Sequence, residues 1–237
     1  LQKLVVEVDK QIDPKLKEID DQIVYNQAKV LDAFRKEEVA EADLTGVNGY
    51  GDDDMGRDKL DRVYARVFNT EAAVVRPQFV SGTHTLFTAL NGNLNYGENL
   101  TYLTGMPYDT MQEVIGLTPK KQGTLMQRGV KFSYVPLKDD GDIDYQEAKK
   151  VLLKNKPKIV AIQRSRGYAT RKTYTLRQIK EMIDFIKKTS PKSLIFIDNC
   201  YGEFSEKHEP TEYGADFMAG SLIKNAGGGI AQTGGYV

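Results

Sequence analysis

Lys224 ends an apolar run, FMAGSLIK, and opens onto Asn225, Ala226 and three consecutive glycines. A lysine at the end of a buried run is desolvated, and desolvation favours the neutral amine that Schiff-base chemistry requires. The glycines after it do not make a phosphate-binding Walker loop, because no Gly precedes a Lys-Ser or Lys-Thr pair at the required spacing. Asp198 ends a second apolar run, SLIFID. A carboxylate at that edge of an α/β sheet can hold a cationic ring nitrogen, a ribose hydroxyl or a metal; it serves equally as a cap or turn residue for the loop that follows. The third segment, Ser81-Gly82-Thr83-His84, follows AVVRPQFV and opens a helical pattern. Such a junction points free backbone N–H groups and a positive helix end at an anion, usually a phosphate, though Ser81 and Thr83 also read as plain N-caps.

The elements that must position these residues alternate along the chain. Short β-rich runs stand at residues 73–75, 99–103, 131–137, 158–162, 193–198 and 217–223, and GGYV at the end reads as one further strand. Helical stretches lie between most of them: THTLFTAL, YDTMQEVIG, DYQEAKKVLLKN and TLRQIKEMIDFIKKTS. Strand–helix alternation with near-continuous apolar strands predicts a largely parallel sheet covered on both faces. Upstream, Asp13-Pro14 reads as the N-cap and first position of an amphipathic helix carrying Ile19, Ile23, Val30 and Phe34. A Gly- and Asp-rich loop spans residues 44 to 58, followed by a helix with Leu60, Val63, Tyr64 and Val67 on one face. The organisation expected is an N-terminal helical segment, 1–45, and one large α/β domain, 46–237.

Composition narrows the classes. Of 237 residues, 40% are hydrophobic and 28% charged, and 33 basic side chains balance 33 acidic ones. That balance lacks the basic excess that nucleic acid or an anionic membrane surface would call for. One cysteine, Cys200, excludes an intramolecular disulfide framework and a Cys-based zinc site. Two histidines far apart, His84 and His208, are a poor basis for a metal centre, and none is expected. No apolar run is long enough to span a bilayer and the charged start lacks a signal-peptide pattern, so the expected location is cytoplasmic. The chain stops on Val237 directly after GGY, which reads as a fragment or as a molecule with a part missing.

The order of a helix-opening Gly, an aromatic, a strand-end Asp and a Ser-x-x-Lys resembles the fold type I pyridoxal 5′-phosphate (PLP) enzymes of the cystathionine and methionine γ-lyase group. More closely, it resembles the cystathionine β-lyase-like, aluminium-resistance family. The matching stretches are GYGDDDMGRDKL, VRPQFVSGTHTL, TGMPYDTMQEVIG, IQRSRGY, FIDNCYGEF, EPTEYGAD and GSLIKNAGGGIAQTGGY, spread from about residue 49 to the end. The resemblance implies a three-layer α/β sandwich around a mostly parallel, about seven-stranded sheet, without the C-terminal small domain of such enzymes.

It also implies roles. Lys224 would hold the cofactor's aldehyde as an imine, and Asp198 would pair with the pyridinium nitrogen, making the ring an electron sink. Tyr108 would stack on the ring, with Cys200 packed beneath it, and Gly82, Thr83 and Ser221 would hold the phosphate. A neighbouring subunit lends a tyrosine and an arginine in these enzymes, for which Tyr50 and Arg57 are the matches, so a homodimer or homotetramer is expected. The chain departs from the pattern at Asp52, where related lyases carry the arginine, and at Ile223, where they usually place a threonine. It also has Gly-Tyr-Gly-Asp where the closer family has Gly-Tyr-Gly-Tyr. Arg164 and Arg166 are candidate partners for the carboxylate of an amino-acid substrate, or members of surface ion pairs. The activity implied is carbon–sulfur β- or γ-elimination. The alternatives are another PLP reaction, such as transamination or racemisation, or a non-catalytic metal-stress or regulatory protein that keeps the fold. Lys224, Asp198 and Tyr108 together favour an enzyme, since a binding scaffold has no need of an electron sink.

Overall fold

The structure is a computed structural model that describes residues 1–47, 54–119 and 122–237. Its centre is a seven-stranded sheet of β1 (Val75–Arg76), β2 (Asn99–Tyr102), β3 (Lys131–Tyr134), β4 (Ile159–Gln163), β5 (Leu194–Asp198), β6 (Phe217–Ser221) and β7 (Gly235–Tyr236). The spatial order is β1-β7-β6-β5-β4-β2-β3. From β3 to β6 every pairing is parallel, whereas β7 runs antiparallel to both β6 and β1. The expected three-layer, mostly parallel sandwich is what forms.

Central strands β4 and β5 are apolar on both faces because both are covered. Side chains alternate by face. Val160, Ile162, Ile195, Ile197 and Met218 join one apolar cluster. Ile159, Ala161, Phe196 and Ala219 join the other. The first cluster packs under α2 (Met55–Val67), α5 (Tyr145–Asn155) and α6 (Leu176–Thr189); the second packs under α3 (Gly82–Gly92) and α4 (Asp109–Ile115). Helix α6 buries Leu176, Ile179, Met182, Ile183 and Ile186, spaced three and four apart as one core-facing stripe requires. Thr175 and Gln178 form its capping box.

The first helix departs from expectation. Helix α1 runs from Gln2 to Lys36 with Pro14 inside it, and Asp13, expected as N-cap, instead pairs with Lys17 at 2.6 Å. An interior proline forfeits one backbone hydrogen bond, yet here helix-forming residues on both sides carry the chain through. Only Asn26 and Ala33 of α1 are buried, and both sit in its second half. Strand β1 begins at Val75 and not Ala73. No helix among the described residues is long and apolar enough to cross a membrane.

Candidate active site

The same alternation that builds the core aims the site. Gln163, Asp198 and Ser221 each end their strand, and each falls two residues after a member of the α3/α4-side cluster or its packing partners. Their side chains therefore share one face and one edge. Gln163 and Asp198 are paired in register, and Asp198 lies beside Ala219, two residues before Ser221. The start of α3 meets this edge. A Cβ added to Gly82 would stand 3.1 Å from Ser221 Cβ and 3.6 Å from Cys200 Sγ, so only a residue without a side chain lets the helix start come this close without displacing Ser221. The N–H groups of Gly82 and Thr83 belong to the first turn, which has no partner within the helix. Ser81 caps that turn by accepting from His84 N at 3.1 Å.

A cavity of about 990 Å³ opens here, and Gly82, Thr83, Tyr108, Asp198, Cys200, Ser221 and Lys224 all line it. Residues from four segments of sequence thus converge on one cavity. Ser221 Oγ is fully buried and has no hydrogen-bond partner, an arrangement that calls for a ligand. Tyr108 precedes α4; its hydroxyl is 3.2 Å from Thr83 Oγ1, and its backbone N–H donates to Gln163 Oε1 at 3.2 Å. Burial, together with the nearby Asp198, pushes the Tyr108 phenol well up, so it stays neutral. Asp198 Oδ1 accepts from Cys200 N at 3.2 Å. Burial raises its pKa, against the pull of Cys200, Lys224 and Arg171. A buried carboxylate facing an open cavity is placed to accept from a cationic donor there.

Lys224 is half-buried, with its Nζ 4.2 Å from the centre of the Tyr201 ring. Here the expected neutral amine is corrected. Burial is the largest influence and lowers the pKa, but Cys200, Tyr201 and Asp198 together outweigh it and hold the amine above its ordinary value. The free amine is an ammonium, and it becomes nucleophilic only when a proton is removed.

The two candidate arginines separate. Arg164 is 2% exposed: Nη1 donates to Asn199 Oδ1 at 2.9 Å, and Nη2 donates to Ser205 Oγ at 3.2 Å and to Glu206 Oε1 at 2.9 Å. The buried Glu209 lies 3.6 Å from Nη1. Arg164 also lines the cavity, but with both terminal nitrogens committed it braces the loop after β5. Arg166 is exposed and lines the cavity. Arg57 pairs with Asp54 at 3.1 Å at the start of α2, away from the cavity lining. Tyr50 lies outside the described residues. His84 accepts from Val80 N at 3.3 Å, and His208 pairs with Glu212 at 2.9 Å. Among the described residues no group of His, Cys, Asp and Glu could hold a metal. Gln163, Thr110, Tyr174 and Tyr201 also line the cavity and went unnoticed in the sequence; Gln163, Thr110 and Tyr201 lie inside the recognised stretches IQRSRGY, TGMPYDTMQEVIG and FIDNCYGEF and could have been found there, whereas Tyr174 lies in none.

Known proteins agree with this architecture. The sequence profile of the family described as methionine gamma-lyase matches residues 1–237. YnbB, an uncharacterized protein of Bacillus subtilis, is 46% identical, covering 100% of this chain and 56% of that protein. A solved structure from Listeria monocytogenes, of a protein described as involved in aluminium resistance, is 50% identical with a TM-score of 0.97, over 100% of this chain and 58% of that one. A carbon–sulfur lyase described as involved in aluminium resistance, from Clostridium novyi, is 47% identical with a TM-score of 0.94, over 99% of this chain and 56% of that one. The chain spans a little over half the length of these relatives.

Proposed function

Because this chain belongs to the methionine γ-lyase family, we propose that its cavity is a PLP site and that the protein acts as a carbon–sulfur lyase on an amino acid. The observation that carries the reading is Ser221 Oγ, buried without a partner opposite the Gly82 helix start and three residues before Lys224. A phosphate fits that cradle. It would accept from the Ser221 hydroxyl and from the N–H groups of the first turn of α3, whose positive end favours an anion.

Bound PLP supplies an electron sink beside the substrate's α-carbon. The chain's own residues do the rest. Lys224 would hold the cofactor through Nζ, and its amine, at the same edge of the cavity, would serve to move a proton at the substrate's α-carbon. Asp198 would keep a proton on the ring nitrogen, and the low-polarity setting that raises its pKa would make its charge more effective toward that one partner. Tyr108 would cover the ring, its phenol kept neutral and bonded to Thr83. Arg166 receives the substrate carboxylate. Cys200, buried beside the Gly82 helix start, would pack beneath the ring. Assembly as a homodimer or homotetramer belongs to the same reading and is measured by sedimentation.

The test is borohydride reduction of the protein incubated with PLP, followed by peptide mass mapping. A pyridoxyl group on Lys224 is expected. Label on a different lysine, or none with cofactor demonstrably bound, overturns the assignment.

A further inference from the structure

Tyr201 stands out among the cavity residues. Its φ is 68°, in the left-handed region that disfavours any residue with a side chain. Its side chain does not compensate by filling the core, since the residue is 56% exposed. What the ring does have is Lys224 Nζ 4.2 Å above its face. Strained non-glycine backbone beside a reactive group, with an aromatic left in solvent, points to a role in the site.

Two independent ties hold this geometry. Asn225, the residue after Lys224, donates through Nδ2 to Tyr201 O at 3.2 Å and to Glu203 O at 2.9 Å. That fastens the lysine's backbone to the turn that carries the ring. The turn itself is anchored from below, where Arg164 Nη1 grips Asn199 Oδ1 and Gly202 N donates to Asn199 O at 2.8 Å. The buried arginine thus reaches the amine through the turn. We propose that Tyr201 is a positioning residue: its ring face is the dock that holds the Lys224 ammonium at the cavity whenever the amine is not covalently engaged. The inference rests on the reading of Lys224 as the attachment residue.

The choice of a ring has a chemical reason. A carboxylate partner would hold the ammonium through a charge-assisted bond and leave an unpaired charge each time the amine departed. An aromatic face attracts the cation through its quadrupole and is left neutral. The groups facing the amine are Asp198, Cys200 and Tyr201. Only the Tyr201 ring can be altered without touching the cofactor's expected contacts.

The experiment follows acylation of Lys224 by an amine-selective reagent against pH in the cofactor-free protein, with the site read by peptide mass spectrometry. Tyr201 is replaced by Phe and by phenylalanines of increasing ring fluorination, which keep shape, burial and backbone while weakening the negative face of the ring. Tyr201→Leu is the ring-free limit. Tyr201→Phe is expected within about twofold of the parent; fluorination and Leu should raise the reactive amine at fixed pH stepwise, by about three- to tenfold in all. An unchanged profile across the fluorinated series overturns the proposal, even where Leu fails to fold. Loss of the dock on Tyr201→Phe alone overturns it too, by assigning the effect to the hydroxyl. Reduction with borohydride on the same proteins separates the two ideas. Pyridoxyl on Lys224 with a flat acylation series sinks the dock alone, whereas pyridoxyl elsewhere sinks the attachment reading.

Discussion

Ser221 and Gly82 face each other across the gap between β6 and the start of α3. A Cβ on Gly82 would stand 3.7 Å from Ser221 Oγ, and that buried oxygen has no partner. Strand end and helix start are thus drawn together around a hydroxyl that the protein itself does not satisfy.

This pair separates binding from stability. An unsatisfied buried hydroxyl costs about 1–3 kcal/mol, so Ser221→Ala should stabilise the cofactor-free protein by about 1 kcal/mol. The same change removes a phosphate ligand and should weaken PLP binding about tenfold. Denaturant unfolding without cofactor and a fluorescence titration with it read the two effects. Lower stability in Ser221→Ala would mean that the hydroxyl already serves the fold.

Asp198→Asn keeps the shape and removes the charge. Cys200 N donates to Oδ1, and an amide oxygen can accept that bond, so folding should survive. Cofactor should still bind through Lys224 and the phosphate cradle, while turnover falls by about two orders of magnitude or more. Steady-state kinetics on a substrate found by screening amino acids for thiol and keto-acid release provide the check. Full turnover in Asp198→Asn would remove the assigned role.

What could be read from the sequence were features written locally. The apolar runs at 159–163, 194–198 and 217–221 are strands because they are covered on both faces, and their ends set Asp198, Ser221 and Lys224 at one edge. The traits that went unread depend on distant partners. Arg164 looks free in QRSRGY, but Glu206 and Glu209 lie more than forty residues on and reach it only through the turn after β5. Lys224 looks desolvated toward neutrality, yet Cys200, Tyr201 and Asp198 come from another strand end and reverse the outcome. Pro14 reads as a helix start because the rule concerns one residue, whereas α1 is set by the thirty-four around it.

The two arginines should therefore fail differently. Arg166→Ala, at an exposed position on the cavity, should leave stability within about 0.5 kcal/mol and raise KM about tenfold or more. Arg164→Ala removes the cation beside the buried Glu209, which keeps its bonds from Asn199 Nδ2 and Phe204 N, and leaves Asn199 Oδ1 without its donor, so it should destabilise by about 3 kcal/mol. Unfolding curves and KM values on both variants check the division. Equal stability losses would return Arg164 and Arg166 to a single role.

Glu203 gives the fold its pH dependence. Its side chain is fully buried against Gly220, where an added Cβ would meet Glu203 Oε1 and the Tyr236 hydroxyl at 2.5 Å. Tyr236 donates to Oε1 at 2.7 Å, and Oε2 has no partner. Burial pushes the carboxyl from 4.5 up to about 7, opposed by the Tyr236 bond and reinforced by Glu209 and Asp198. A carboxyl that is harder to ionise in the folded state loses its proton first in the unfolded chain. The native state then binds more protons, and stability falls as pH rises from about 4.5, levelling off above about 7. Over that window the shift corresponds to about 3 kcal/mol. Asp198 and Glu209, raised by burial as well, slope the same way. Glu203→Gln keeps an acceptor for Tyr236 and cannot ionise, so it should flatten most of the slope and stabilise the protein at pH 8 relative to the parent. Urea unfolding midpoints at pH 5, 6, 7 and 8 measure this; a parent whose stability rises across that range, or a Glu203→Gln variant with the parent's slope, would show that Glu203 is ionised in the fold.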